Sequence, residues 1–422
     1  MSYTQSKFNF TYKRNPNENI IYNTFSKALV VLEDDMYRQY ETLSFVDADD
    51  KNQLVDNGIL VEKTFDEMSF LKYVHYKTKF STDILYLTIA PTLDCNFACP
   101  YCYENRRPGK MSAEVQEALI SFIRESISQG VNKLHVTWYG GEPLLCLDVV
   151  GSISRKIVSL VEEKNCLLKM HLVTNGYLLT QNTIELLDEI GVTRVQVTLD
   201  GLKANHDVRR PLKSGGDTFE RIIENLALFY DSPIEVLVRM NVDNQNCIDF
   251  KCLKEKIDSL GNSNMKAYAS PVEDLNKDAV NHVSDFMTTD EFESFAMSAC
   301  EENGLPADEF AVMDDRYAFC TSETENCYVV DDLGDFYKCW DEVGREEYRC
   351  FNILDPENKN YSIISKYLTS DPFSDERCKS CVFLPLCFGG CKYQKAHLAK
   401  SVCGFTRATL EKYLEIAFFR GQ

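Results

Sequence analysis

Residues 84–104 read ILYLTIAPTLDCNFACPYCYE. The apolar and β-branched run 84–90 predicts a buried strand. It passes into a polar turn that carries Cys95, Cys99 and Cys102 in CxxxCxxC spacing. Thiolates are soft ligands suited to iron–sulfur clusters or zinc. Three of them on one tight loop hold three corners of a four-iron cube and leave the fourth iron open. A structural zinc site wants four closed ligands, and no fourth candidate stands nearby in the sequence. An open iron beside a pocket expects a substrate or cofactor to complete its coordination.

Working outward, apolar strands alternate with helical stretches over 81–272. The later strands are LHVTWYG (134–140), KMHLVTNG (169–176), RVQVTLDG (194–201), IEVLVRMNV (234–242) and MKAYASPV (265–272). Residues 112–130 and 217–230 repeat apolar positions at helical spacing. Six βα units in succession predict an α/β fold with a parallel sheet, either curled as a partial barrel or doubly wound. Ligands in such folds bind at the C-terminal ends of strands. The turns APTLDC (90–95), WYGGEP (138–143), VTNG (173–176) and TLDG (198–201) are therefore the expected pocket lip.

The CxxxCxxC loop after a first barrel strand resembles the radical S-adenosylmethionine superfamily. Tyr101 before Cys102, the GGEP turn Gly140-Gly141-Glu142-Pro143, and the strand ends Thr174-Asn175-Gly176 and Leu199-Asp200-Gly201 carry the same resemblance. It implies a partial (β/α)6 barrel holding a [4Fe-4S] cluster on Cys95, Cys99 and Cys102. S-adenosyl-L-methionine would chelate the open iron, and its reductive cleavage would release a 5′-deoxyadenosyl radical that abstracts hydrogen. By the same resemblance Gly140 to Pro143 bind the methionine amino group. Glycines permit close backbone approach, and Glu142 can accept from an ammonium. Asn175, Asp200 and Arg239 are further candidates for ribose and carboxylate contacts. Strand-end turn chemistry is the competing explanation for each.

Beyond residue 272 the cysteines crowd: Cys320, Cys327 and Cys339, then Cys378, Cys381, Cys387, Cys391 and Cys403. The core CKSCVFLPLCFGGC (378–391) resembles the SPASM domain of peptide- and protein-modifying radical enzymes. That resemblance implies two auxiliary [4Fe-4S] clusters in a crossed pattern. One would use Cys320, Cys327, Cys339 and Cys391; the other would use Cys378, Cys381, Cys387 and Cys403. A zinc ribbon on Cys378, Cys381, Cys387 and Cys391 is the alternative. Cys146, Cys166, Cys247, Cys252, Cys300 and Cys350 are left over. Most sit in helical patterns as small buried hydrophobes, and Cys350 is a candidate spare ligand. An auxiliary cluster can accept the electron that a substrate radical must lose. Asp341, two residues after Cys339, is the best-placed acid in sequence for the accompanying deprotonation. In sulfatase-maturating relatives the aspartate directly follows the corresponding cysteine, where this chain has Trp340.

Residues 1–80 contain no cysteine and read as a small winged-helix-like pattern. The strands are FNFTYKR, NIIYNTF, KALVVLE and ILVEKTF. Asn15-Pro16-Asn17 is a hairpin turn, a helix opens on Asp34 and Asp35, and a second helix ends at Gly58. This stretch resembles a RiPP recognition element, which binds leader peptides by adding a strand to a sheet edge. The expected organisation is thus a recognition element over 1–80, a radical barrel over 81–272 and a SPASM domain over 273–422. It reads as a peptide maturase acting on a ribosomally made precursor peptide, with a reductant such as flavodoxin or ferredoxin. Streptide maturases and three-residue cyclophane synthases share this organisation. The candidate products are a carbon–carbon cross-link, a thioether or a decarboxylated residue. Full eight-cysteine ligation leaves no auxiliary iron open to a substrate thiolate, which favours the carbon–carbon bond. An anaerobic sulfatase-maturating, formylglycine-forming enzyme is the alternative.

The chain has 422 residues, a formal net charge of −20 and 17 cysteines. Such acidity repels phosphate backbones, so nucleic acid is not an expected partner. No uncharged apolar run reaches a membrane span of about 18 residues, and the N-terminus lacks a signal-peptide core. The expectation is a cytoplasmic protein whose cysteines are thiols or metal ligands. Acidic residues outnumber basic ones 20 to 5 over 265–345. That stretch reads as a solvated face, with a docking surface for a basic peptide as the sharper alternative.

Overall fold

Hairpin chemistry opens the chain. In the computed structural model, which describes residues 2–272, 285–303, 317–398, 403 and 407–419, five strands fall in the first 62 residues. They are β1 (Tyr3–Gln5), β2 (Asn9–Asn15), β3 (Glu18–Asn23), β4 (Leu29–Glu33) and β5 (Leu60–Glu62). β2, β3 and β4 form an antiparallel three-stranded sheet, and β1 pairs with β5. At the first turn the Asn15 side-chain oxygen accepts from the Asn17 N–H at 2.9 Å. Helices follow at Asp34–Thr42 and Ala48–Asp56. Gly58, at φ 71°, takes the left-handed conformation that ends the second helix.

A third helix, Glu67–Lys79, escaped the sequence reading. Its N-cap Asp66 accepts from the Met68 and Ser69 N–H groups. Its buried positions are Glu67, Leu71, His75 and Lys79, one stripe at a spacing of four. Three of these four are polar, so hydrophobic periodicity does not reveal the face. Leu71 packs with Phe8, Phe373, Leu384 and Phe388 in one apolar cluster. Each such side chain contributes roughly 1.5–3 kcal/mol on burial. Accordingly Met1–Phe80 form one unit with Met313–Thr324 and Tyr367–Leu414, and the stretch around CKSCVFLPLCFGGC belongs to the same body as the N-terminal strands.

The second unit comprises Ser81–Val312, Glu325–Lys366 and Glu415–Gln422. It is built on β6 (Ile84–Ile89), β7 (Lys133–Trp138), β8 (Leu167–Thr174), β9 (Val192–Leu199), β10 (Glu235–Val242) and β11 (Met265–Pro271). These six are parallel, each beside its sequence neighbour. A doubly wound sheet reverses its strand order at a switch point. Here there is no reversal, which selects the singly wound, barrel-like member of the two expectations. β12 (Cys327–Val330) extends the sheet parallel to β6, and β13 (Asp335–Tyr337) and β14 (Phe351–Asn352) follow antiparallel. Burial alternates along β7 and β10 with the strand period of two. One face, with Val136, Trp138, Val236, Val238 and Met240, is fully buried. The other carries half-buried polar groups such as His135, Thr137, Arg239 and Asn241. The result is a mixed α/β fold around a largely parallel sheet.

Among the described residues no helix is long and apolar enough to cross a membrane. Part of the acidic stretch, at 273–284 and 304–316, lies outside the described residues.

Candidate active site

The strand ends converge as the sequence led us to expect. The loop after β6 carries Cys95, Cys99 and Cys102, and the GGEP turn after β7 packs directly against it. The Gly141 N–H donates to the Thr92 carbonyl at 3.2 Å and the Glu142 N–H to the Asp94 carbonyl at 2.9 Å. Side chains are excluded from this contact. A Cβ on Gly140 would sit 2.5 Å from the Thr92 oxygen, and one on Gly141 2.1 Å from the Asp94 oxygen. Both glycines are thus fixed by close backbone approach.

Glu142 has an internal task. Its fully buried carboxylate accepts from the Leu144 N–H (3.0 Å), the Thr174 hydroxyl (2.7 Å) and the Asn175 N–H (2.8 Å). One carboxylate therefore joins the ends of β7 and β8. Burial raises its pKa, against the pull of those three donors. Pro143 opens the short turn that follows. Asn175 reaches the cluster loop, donating to the Asn96 side-chain oxygen at 2.7 Å and lying 3.9 Å from the Cys95 sulfur.

Asp200, at the end of β9, is engaged as well. It accepts from the Tyr101 hydroxyl at 2.5 Å and from Arg209 Nε at 3.0 Å. Arg209 continues to Asp243 at the end of β10 (2.6 Å), and Arg210 donates to the Tyr101 hydroxyl at 2.8 Å. Tyr101, between two of the cluster cysteines, is thereby tied to the ends of the barrel strands. Arg239 lies within β10 and bonds the Asn241 side chain at 2.9 Å. The pair Arg209 and Arg210 was missed by the sequence reading. The signal available was their place in HDVRR (206–210), five to nine residues beyond the TLDG strand end at Gly201.

The cluster loop has its own cation. Arg106 donates to the Phe97 carbonyl at 2.6 Å, bonds the Cys102 sulfur, and faces Cys99 and Cys95. Burial pushes the Cys95 thiol up to about 12. A thiol so reluctant to ionise needs a metal centre to hold it as thiolate. Around the loop, Asn96 Nδ2, Glu104 Oε2, Arg106 Nε, Asp200 Oδ1, Arg209 Nη2 and Arg210 Nε are buried with no hydrogen-bond partner. Orphaned donors and acceptors beside three soft thiols fit a cluster with a polar, zwitterionic ligand. No three His, Cys, Asp or Glu side chains among the described residues close on a single metal ion.

On the other side of the site Tyr103 and Tyr139 share a hydrogen bond between their hydroxyls, and Trp340 packs on the Tyr139 ring at 4.8 Å. Burial pushes the Glu104 carboxyl up to about 7. Asp341 lies 3.5 Å from the Cys339 sulfur, and its charge reaches both tyrosines. The turn at Cys339 is capped by buried Glu342, which accepts from the Lys338 and Cys339 N–H groups.

The remaining cysteines divide between the units. Cys327, Cys339 and Cys350 lie in the second. Cys320, Cys378, Cys381, Cys387, Cys391 and Cys403 lie in the first. Within the first unit Cys378, Cys381, Cys387 and Cys403 share one electrostatic neighbourhood. Cys350 is fully buried near Cys327, both facing the buried ammonium of Lys338. Of the other leftover cysteines, Cys146, Cys166 and Cys300 are buried, but Cys252 is exposed and Cys247 only half-buried. Cys252 points away from the apolar face of its helix, Phe250–Asp258, whose buried residues are Phe250, Leu253 and Ile257.

Residues 89–246 match the family described as the Radical SAM superfamily, so the chain carries a radical SAM domain. Such a domain implies a [4Fe-4S] cluster and S-adenosylmethionine. The chain is 33% identical over 152 residues to a GTP 3′,8-cyclase of Nautilia profundicola, covering 35% of this chain and 44% of that protein. It is 26% identical over 181 residues to a serine-type anaerobic sulfatase-maturating enzyme of Klebsiella aerogenes, covering 42% and 44%. The chain thus spans less than half the length of these curated relatives. In fold it resembles anSMEcpe, solved with bound AdoMet and the Kp18Cys peptide. The TM-score is 0.63 at 22% identity, over 80% of this chain and 98% of that one. It also resembles Streptococcus suis SuiB bound to precursor peptide SuiA, with TM-score 0.53 at 15% identity, over 96% and 98%.

Proposed function

We propose that this chain, a carrier of the radical SAM domain, is a peptide-modifying radical enzyme that cross-links a ribosomally made precursor. The observation that carries the reading is the three-thiol loop seated on the GGEP turn at the C-terminal end of the parallel sheet. When bound there, the cluster and S-adenosylmethionine supply a carbon-centred radical able to abstract hydrogen. The chain's own part is to hold and shield. Cys95, Cys99 and Cys102 would hold the cluster. The backbone of Gly140 to Pro143 and the orphaned atoms of Asn96, Arg209 and Arg210 would orient the cofactor. Asp341, Tyr103, Tyr139 and Glu104 would take up or relay the substrate's proton. Within the first unit Cys320 and Cys391 would ligate one auxiliary cluster, and Cys378, Cys381, Cys387 and Cys403 would hold a second.

A peptide substrate is supported by the N-terminal sheet. β4 is an edge strand with Val31 exposed, the geometry on which an extended leader adds a strand. The likeness to SuiB extends over 96% of the chain, against 80% for anSMEcpe, which supports an element beyond the sulfatase-maturating plan. The experiment is anaerobic reconstitution with the small precursor peptide encoded nearest the gene. Iron per chain, deoxyadenosine release and peptide mass are read together. About twelve irons, deoxyadenosine, and a peptide lighter by two hydrogens support the reading. Cys95→Ala, Cys99→Ala and Cys102→Ala should each abolish deoxyadenosine release. A leaderless peptide turned over as fast as the full precursor would remove the docking role.

A further inference from the structure

Four titratable side chains of the first unit meet in its interior: Glu323, His75, Lys79 and Lys392, each at most 2% exposed. One carboxylate faces two ammonium groups. Its oxygens do different work. Oε1 accepts from the Phe319 N–H at 2.7 Å. With the Glu323 N–H donating to the Cys320 carbonyl at 3.4 Å, this closes the turn that presents Cys320. Oε2 lies 3.3 Å from Lys392 Nζ. Lys392 directly follows Cys391, and its ammonium donates to the Phe388 carbonyl (2.6 Å) and the Gly390 carbonyl (3.2 Å). Those carbonyls belong to a turn in which Phe388, Gly389 and Gly390 all have positive φ, a conformation a non-glycine residue adopts only when its surroundings hold it.

The N-terminal helix braces both turns. Lys79 Nζ stands 3.9 Å from Glu323 and donates to the Ser370 carbonyl at 2.7 Å. His75 Nδ1 bonds the Tyr317 carbonyl at 2.6 Å, its Nε2 is 4.0 Å from Glu323, and its ring stacks on Phe388 at 4.9 Å.

We propose that Glu323 is the positioning residue of an auxiliary cluster. It fixes the Cys320 turn against the Cys391 turn, and residues 67–79 form part of that cluster's scaffold. The proposal rests on the reading that Cys320 and Cys391 ligate one cluster. A buried carboxylate is costly to leave without its cations. Here Oε1 is hydrogen-bonded by the Phe319 N–H, while Oε2 has no hydrogen bond among the described residues and meets Lys392 and Lys79 at ion-pair distance, which ties the two turns together. A tie of this kind orients first ligands and tunes a metal centre. The arrangement also makes the N-terminal segment inseparable from the cysteine loops. Removing residues 1–80 strips Leu71, His75 and Lys79 from a shared interior, so truncation cannot isolate the docking function.

The test uses the full-length, anaerobically reconstituted protein and the variants Cys320→Ala, Glu323→Gln, Lys392→Met and Glu323→Gln/Lys392→Met. Iron and zinc per chain, thermal melting and the electron paramagnetic resonance of the reduced clusters are measured. Cys320→Ala should lose about a third of the iron. Glu323→Gln should lose or broaden the same auxiliary signal while the signal of the Cys95–Cys99–Cys102 cluster stays unchanged. The double variant removes both halves of one contact, so its loss should be no greater than the larger single-variant loss rather than the sum of the two. Should Glu323→Gln not fold, Lys392→Met, which leaves the carboxylate its Lys79 partner, must show the same selective change. A wild-type auxiliary signal in the Glu323 or Lys392 variants, with Cys320→Ala deficient, overturns the positioning role and spares the ligand reading. Full iron in Cys320→Ala, or zinc in its place, overturns both.

Discussion

Replacing Gly141 by alanine tests the seat of the cluster loop most directly. The new Cβ would lie 2.1 Å from the Asp94 carbonyl oxygen, 2.6 Å from its carbon and 2.8 Å from the Leu93 oxygen. All three are backbone atoms, so no side chain can swing aside. Relief to even 3.0 Å requires a retreat of about 1 Å by a loop whose next residue is Cys95. It also stretches the bonds from Gly141 to Thr92 and from Glu142 to Asp94, now 3.2 and 2.9 Å. A misplacement of about 1 Å near reacting groups costs on the order of 100-fold in rate, or about 2.7 kcal/mol on the barrier. Deoxyadenosine release under reductant, normalised to iron per chain, is the assay. Gly151→Ala is the control. Gly151 lies in the helix Leu147–Lys164, with the tip of Arg155 as its nearest neighbour at 3.4 Å, and alanine favours helix there. Gly141→Ala with wild-type iron content and wild-type release would refute the argument that close backbone approach builds this site.

Three further outcomes are expected. His206 is held neutral inside the second unit, its pKa pushed down to about 4 chiefly by burial. The unfolded chain therefore binds the proton first, and up to about 3 kcal/mol of stability present above pH 6.5 is lost as pH falls toward 4. Urea midpoints from pH 7 to 4.5 should drop less steeply in His206→Gln, and identical pH slopes would contradict this. Arg107 pairs with buried Asp331 and Asp332 at 2.8 and 2.7 Å. Arg107→Met should cost about 3–5 kcal/mol at neutral pH and less in mild acid, where the stranded carboxylates protonate; an equal loss at both pH values would count against it. Leu71→Ala should destabilise by roughly 2–5 kcal/mol and lower the melting of the cysteine-rich segment with that of the N-terminal strands, because both share its core. Separate melting transitions would show two independent bodies.

Much of the site was legible because its signals are local. CxxxCxxC, GGEP and the TNG and LDG strand ends are short motifs, and each stands at the C-terminal end of a strand whose apolar run marks it. The six strands β6 to β11 were readable for the same reason, since a strand's pattern lies within its own few residues, whereas the parallel strand β12 was not read. Single-sequence reading went astray where burial and polarity part company. The helix Glu67–Lys79 buries Glu67, His75 and Lys79, and Cys252 on an apolar-patterned helix faces solvent.

The sequence by itself determined the βα succession, the three-thiol loop, the polar turns at the strand ends and the crowding of cysteines toward the C-terminus. Only the tertiary structure decided that strand order runs without reversal and that Arg209 ties the ends of β9 and β10. It alone decided that Glu142 faces inward to three donors, and that the N-terminal helix and the CKSCVFLPLCFGGC stretch share one interior. These features pair groups far apart in the chain. Ion pairs and shared cores between distant segments leave no periodic trace in a sequence, because their energy depends on distance and burial rather than on spacing along the backbone.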